Sequence, residues 1–193
     1  DRLACVFDVS PDGGHATLAV AAFTGEAYRV EIVKAWDGLD ATASARRELP
    51  ALVARVNPLV FGWFPGGPAA ALAADLRARS TALGWPPKGV KVEEIKGDTS
   101  AACMGFADLV KAGEVLHPGD PLLDAQVDGA SALRTGDRWV FSRRGSGTCD
   151  AVYAVAGGGA LGAATRAGPG RAPVLGARGL IPPPLWGMRY FGS

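Results

Sequence analysis

Asp8 interrupts the first apolar run of the chain, Leu3-Ala4-Cys5-Val6-Phe7-Asp8-Val9, and is followed by Ser10-Pro11-Asp12-Gly13-Gly14. A strand that is apolar on both faces lies inside a sheet, where an uncompensated carboxylate is costly. Asp8 therefore either ends the strand and hydrogen-bonds the turn, as aspartate does before Ser-Pro, or it holds a cation. Asp150 is the last acid of the chain and stands directly before the apolar run Ala151-Val152-Tyr153-Ala154. With 3 cysteines, widely spaced at Cys5, Cys103 and Cys149, and only 2 histidines, neither a CxxC zinc pattern nor a histidine-rich site can be assembled. A cation here would be held by oxygen, which selects Mg²⁺ or Mn²⁺.

The elements that must position these acids follow from hydrophobic periodicity. Residues 3–9, 16–23 and 27–35 are short apolar runs separated by Pro-Asp-Gly-Gly and Thr-Gly-Glu, which predicts an antiparallel meander of three strands. From Ala41 to Val56 the apolar positions Ala45, Leu49, Leu52, Val53 and Val56 recur at helical spacing. Leu59-Val60-Phe61 predicts a buried strand, residues 68–83 a helix with proline in its first turn, and residues 89–95 a further strand. A helix capped by Asp98 or Thr99 and closed by Gly113, helical structure over 121–133, a strand over 137–142 and a last helix from about Asp150 to Arg166 complete the order. From Ala167 onward Gly and Pro dominate, so residues 1–166 are expected to be one domain and 167–193 an irregular tail.

The order β-β-β-α-β-α-β-α, with an extra hairpin before the final helix, is the connectivity of the ribonuclease H fold. The expected fold class is α/β, a mixed five-stranded sheet of three antiparallel and two parallel strands flanked by helices. In that architecture the first strand ends beside the fourth strand and the start of the last helix. Asp8 and Asp150 then converge.

Three segments carry a closer likeness: Ala102-Cys103-Met104-Gly105-Phe106-Ala107-Asp108, Leu116-His117-Pro118-Gly119-Asp120-Pro121-Leu122-Leu123, and Gly136-Asp137-Arg138-Trp139-Val140-Phe141-Ser142-Arg143-Arg144. Together with Asp150-Ala151-Val152-Tyr153-Ala154 they make the chain resemble the C-terminal nuclease domain of phage large terminase subunits, over roughly residues 3–165. The resemblance implies a metal-dependent endonuclease that cuts concatemeric double-stranded DNA during packaging, in the cytoplasm of the infected bacterial host. It also implies an ATPase domain, a small terminase subunit and a portal protein as partners, with Asp150 as the final metal-binding aspartate. Phosphodiester hydrolysis needs an activated water and stabilisation of the attacking and leaving oxygens, which two divalent ions about 3.5–4 Å apart supply. Asp8 and Asp150 would be catalytic metal ligands.

The chain departs from the family after the fourth strand. Members commonly carry a second acid there, where this chain reads Phe61-Gly62-Trp63-Phe64-Pro65. The nearest substitutes are Glu93, Glu94 and Asp12, and since neighbouring strand residues point to opposite faces only one of the two glutamates can serve. Glu94 is taken as the third catalytic and metal-binding residue. Lys96, Arg138, Arg143 and Arg144, with Lys111 and Arg134, are candidates for contact with DNA phosphates, the paired arginines serving either that purpose or as a solvated hairpin edge.

Other signals bound the function. The net charge is +1, but after Asp150 only arginines carry charge, a stretch that suits either phosphate contact or solubility. Gly157-Gly158-Gly159-Ala160-Leu161-Gly162 matches GxGxxG but follows no first strand and precedes no acid, so it is read as close helix packing. No GxxxxGK[ST] occurs, so the chain does not itself carry a packaging ATPase, and it reads as one domain of a longer protein. No apolar run is long enough to span a bilayer. A resolvase or transposase-like nuclease of the same fold and a non-catalytic docking module of the packaging motor are the rival readings, the second motivated by the missing acid.

Overall fold

The computed structural model describes residues 3–24, 27–144 and 148–165. Their elements run β1 (Ala4–Val9), β2 (His15–Thr24), β3 (Ala27–Asp37), α1 (Ala41–Val56), β4 (Val60–Trp63), α2 (Gly67–Ala78), α3 (Ser80–Leu83), β5 (Lys91–Glu94), α4 (Thr99–Ala112), β6 (Val115–Leu116), α5 (Pro121–Asp128), β7 (Ala132–Thr135), β8 (Arg138–Phe141) and α6 (Asp150–Thr165). The chain is α/β, with helices on both faces of a mixed sheet.

The sheet order is β5-β4-β1-β2-β3-β6, with β7 and β8 forming a separate hairpin. Strands β1, β2 and β3 make the expected antiparallel meander, and β4 and β5 add in parallel beside β1. The sheet has six strands where five were expected. The sixth, β6, is a two-residue segment that pairs in parallel with Tyr28 and Arg29 at the far edge. So short a run has no periodicity to read. The helix expected over 121–133 stops at Asp128, because Gly129 closes it and Ala132–Thr135 pairs with Arg138–Phe141 around Gly136. The helix expected over 68–83 divides at Arg79 into α2 and α3. Residues 167–193, expected to form a tail, lie outside the described residues.

Strand alternation sorts β1 between two cores. Cys5, Phe7 and Val9 face Leu49 and Val53 of α1 and Leu72 and Leu76 of α2. Ala4 and Val6 face the other way, into a cluster with Phe106 of α4, Leu123 of α5 and Val152 and Val155 of α6. Asp8 shares this second face. Helix α6 crosses β1 and β2 directly, and its glycines allow the approach. A Cβ on Gly157 would stand 2.7 Å from Ile95 Cδ1 and 2.9 Å from Val6 Cγ1, and one on Gly158 would stand 2.5 Å from Ala21 Cβ. The glycine run is a packing seam, as its context in the sequence indicates. Among the described residues no helix is long and apolar enough to cross a membrane.

Candidate functional site

Asp8 and Asp150, each 2% exposed, lie near one another at the start of α6, linked through Thr17. Asp8 is the next-to-last residue of β1 and Asp150 the first of α6, so a strand end and a helix start, far apart in the chain, bring the two acids together. Thr17, opposite Asp8 in the β1–β2 ladder, donates from Oγ1 to Asp150 Oδ2 at 2.5 Å. Gln126 of α5 donates from Nε2 to Asp150 Oδ1 at 3.0 Å and to Thr148 Oγ1 at 2.9 Å. Its Oε1 accepts the backbone N–H groups of Ala151 and Val152 at 2.8 and 3.3 Å. The first N–H groups of a helix have no partner within it, so Gln126 caps α6 from another helix while orienting the aspartate in its first turn.

Asp8 is held differently. The Arg143 guanidinium straddles it, with Nη2 donating to Oδ1 at 2.8 Å and Nη1 2.8 Å from Oδ2. Nη1 also donates to the Val9 carbonyl at 3.1 Å, and the guanidinium lies 3.8 Å from the centre of the Tyr153 ring. The Nη1 contact to Oδ2 is off the line of a hydrogen bond, which leaves Oδ2 buried with a charge beside it and no donor directed at it. Burial pushes the Asp8 carboxyl up to about 6, against the lowering effect of Arg143, and the nearby Asp150 adds to the rise. Burial also works against the charge on Arg143, but its contacts with Asp8 outweigh this and raise its pKa. Cys103 and Cys149 lie near the same charges. Burial pushes their thiols up to about 11 and about 12, which disfavours the thiolate form at neutral pH.

The third acid is not where it was expected. Glu94 pairs with Trp63, whose indole belongs to the α1 and α2 core, so Glu94 projects from the opposite face of the sheet to Asp8. Glu93 pairs with Gly62 and does share the Asp8 face, but it stands level with Val6 and is bound to Lys91 at 2.8 Å. Continuing the β1–β4–β5 register by two residues puts Phe64 and Ile95 level with Asp8, and both belong to the apolar core. Phe64 packs edge-on against Tyr153 at 5.7 Å. Asp12 serves the β1–β2 turn, accepting from Ser10 and Gly14, and Asp98 caps α4 through the Ser100 N–H. Among the described residues no group of three His, Cys, Asp or Glu could share a metal ion.

The basic residues divide. Arg143 is turned inward onto Asp8, so it is not presented to phosphate as expected. Arg138 is bound to Asp98 at 2.9 Å, and Arg144 and Lys96 are exposed. The sequence offered a signal for Gln126, a polar residue on the buried stripe of α5 with Leu123 and Val127. Thr17 could have been found from the hairpin register opposite Asp8. No spacing rule connects Arg143 to Asp8.

Of the other acids weighed for the site, Glu93, Glu94, Asp12 and Asp98 are turned away or committed elsewhere. Asp8 and Asp150 still offer oxygens that suit a divalent ion. A carboxylate has about four lone-pair positions, so Asp150 keeps acceptor capacity beyond its two hydrogen bonds, and Asp8 Oδ2 has no directed donor at all. Comparison with protein-family models and with curated proteins finds no match to this chain.

Proposed function

We propose that the chain is a ribonuclease H-like nuclease domain of a viral DNA-packaging terminase, hydrolysing phosphodiester bonds of concatemeric double-stranded DNA with Mg²⁺ or Mn²⁺. The observation that carries this reading is the convergence of Asp8 and Asp150, two nearly inaccessible carboxylates brought together by elements far apart in the chain. Burying two like charges side by side is unfavourable for folding alone, and such pairs recur where a cation must be held. The order of the elements and the hairpin before α6 support the same assignment. The terminase ATPase domain, small subunit and portal protein are the partners this reading supplies, in the cytoplasm of the infected bacterium.

Asp8 and Asp150 would hold a divalent ion through their free lone pairs. When bound, the ion would polarise the phosphodiester and acidify a water. Thr17 and Gln126 keep the Asp150 carboxylate in one orientation, so that side chain is already set for binding. Arg144 and Lys96 are exposed and suited to backbone phosphate, which carries no sequence information, so cutting would show little sequence preference. The proposal extends to one ion, since Glu93, Glu94, Asp12 and Asp98 are turned away or committed elsewhere.

A second reading, a non-catalytic docking module of the packaging motor, is favoured by one observation. Arg143 sits on Asp8 as a built-in cation, and Phe64 and Ile95 fill the level where further acids would stand. The experiment is plasmid cleavage across a Mn²⁺ series by the wild-type domain, Asp8→Asn and Asp150→Asn. Nicking by the wild type that is lost in both variants supports the nuclease. Cleavage that survives in either variant rejects these acids, and a folded wild-type domain inert at every Mn²⁺ concentration supports the docking module.

A further inference from the structure

We propose that Arg143 is an exchangeable counter-cation of the acid pair: its guanidinium and a divalent ion compete for the Asp8 carboxylate, and the ion enters as the arginine leaves. The inference rests on the reading of Asp8 and Asp150 as cation ligands and says what controls access to them.

The fork of Arg143 covers both oxygens of Asp8, with Nη1 and Nη2 each 2.8 Å from one of them. A metal ion approaching either oxygen would meet a fixed positive charge at hydrogen-bond distance, and two cations cannot share one carboxylate edge without strong repulsion. The guanidinium fits a carboxylate by shape but reaches only Asp8, since Asp150 is held by Thr17 and Gln126 instead. A divalent ion could draw on both carboxylates at once. The guanidinium therefore neutralises one carboxylate of the pair and keeps an ion from using it together with the other.

The arginine is also placed to leave. Its side chain is 26% exposed while that of Asp8 is 3% exposed, so solvent lies on the arginine's side of the contact. Arg143 follows β8, beyond Phe141, which is buried between Phe106, Trp139 and Tyr153 and whose carbonyl accepts from the Tyr153 hydroxyl at 2.8 Å. Swinging the guanidinium outward breaks its contacts with Asp8, Val9 and the Tyr153 face but leaves that anchor and every strand of the main sheet in place. Released, it would stand next to exposed Arg144, and the fork that matches a carboxylate matches a phosphate equally well.

The test is Mn²⁺ binding by the whole chain, measured by calorimetry without DNA, for the wild type, Arg143→Gln and Arg143→Lys. Arg143→Gln should bind Mn²⁺ about tenfold or more tightly than the wild type, with Arg143→Lys between them, since lysine keeps the charge but loses the two-point fit. Equal affinities in all three, or no Mn²⁺ bound by any, would overturn the exchange. Should Arg143→Gln fail to fold, the wild-type chain decides alone. Its Arg143 Nε–Hε resonance, assigned by difference from Arg143→Lys, should move to the position of a solvent-exposed arginine as Mg²⁺ saturates. A resonance that stays put through saturation, or a chain that takes up no Mg²⁺, overturns the proposal. The nuclease reading fails separately: exchange without cleavage leaves the counter-cation standing, and cleavage without exchange leaves the nuclease.

Discussion

At the scale of single residues, the fold opposes the charge on Asp8. Its carboxyl is pushed from the usual 3.8 up to about 6, first by burial, while Arg143 compensates in part. The folded chain therefore binds a proton more readily at this position than the unfolded chain does. The stability Asp8 contributes is fully present below about 4 and is lost as the pH rises through about 6. Asp8→Asn, which resembles the protonated state, should gain melting temperature relative to the wild type as the pH goes from 4 to 7 in metal-free buffer. Thermal melts at four or five pH values check this. A difference between the two proteins that does not change with pH would show that Arg143 compensates the buried charge fully.

Gln126 makes a second prediction at the junction of residue and element. Gln126→Leu keeps the volume but removes the cap on α6 and one of the two donors to Asp150. Two helix N–H groups and a carboxylate oxygen lose buried partners, so the domain should lose about 2–3 kcal/mol. Urea unfolding measures it. A loss below about 0.5 kcal/mol, the range of ordinary surface substitutions, would mean that water replaces the amide at no cost.

Among the elements, α6 shows how a helix poor in intrinsic propensity is kept by its packing. Glycine costs about 1 kcal/mol in a helix interior relative to alanine, yet Gly157, Gly158 and Gly159 occur in succession. The contact distances explain two of them. Gly158→Ala would put its Cβ 2.5 Å from Ala21 Cβ and 2.8 Å from the Tyr28 hydroxyl, and overpacking of this kind costs about 1–3 kcal/mol. Gly159→Ala would meet nothing closer than 3.6 Å and should gain up to about 1 kcal/mol from helix propensity. The pair should change stability in opposite directions in the same denaturation experiment, and a shared sign would place the helix at a different distance from β2.

For the whole molecule, the near balance of charge limits what the domain does alone. With a net charge of +1 and Arg143 committed to Asp8, the domain brings little net positive charge to a duplex. The domain should bind DNA weakly and without sequence preference. In metal-free buffer Arg144→Ala should flatten the slope of log K against log salt by about one unit, whereas Arg143→Ala should leave it unchanged, because each phosphate contact adds about 0.9 to the slope. Fluorescence anisotropy on two unrelated duplexes at several salt concentrations reads both. A unit lost in the Arg143 variant would show that its guanidinium already faces DNA in the metal-free state.

Local patterns were enough for much of this molecule. Strand alternation, helical spacing, Gly and Pro stops and the lone carboxylate in the first strand are properties of neighbouring residues, so the meander, the amphipathic helices and the importance of Asp8 could be read directly from the chain. The end of α5 and the two-residue β6 were less legible, since a strand that short exists only because a partner edge is present. The choice between Glu93 and Glu94 depended on a register across three strands, and a shift of one residue exchanges the faces. The partners of the acids depended on the tertiary structure altogether. Arg143 lies 135 positions from Asp8 and Gln126 lies 24 from Asp150, and only the closing of the hairpin and α5 over the sheet brings a guanidinium to one carboxylate and an amide to the other.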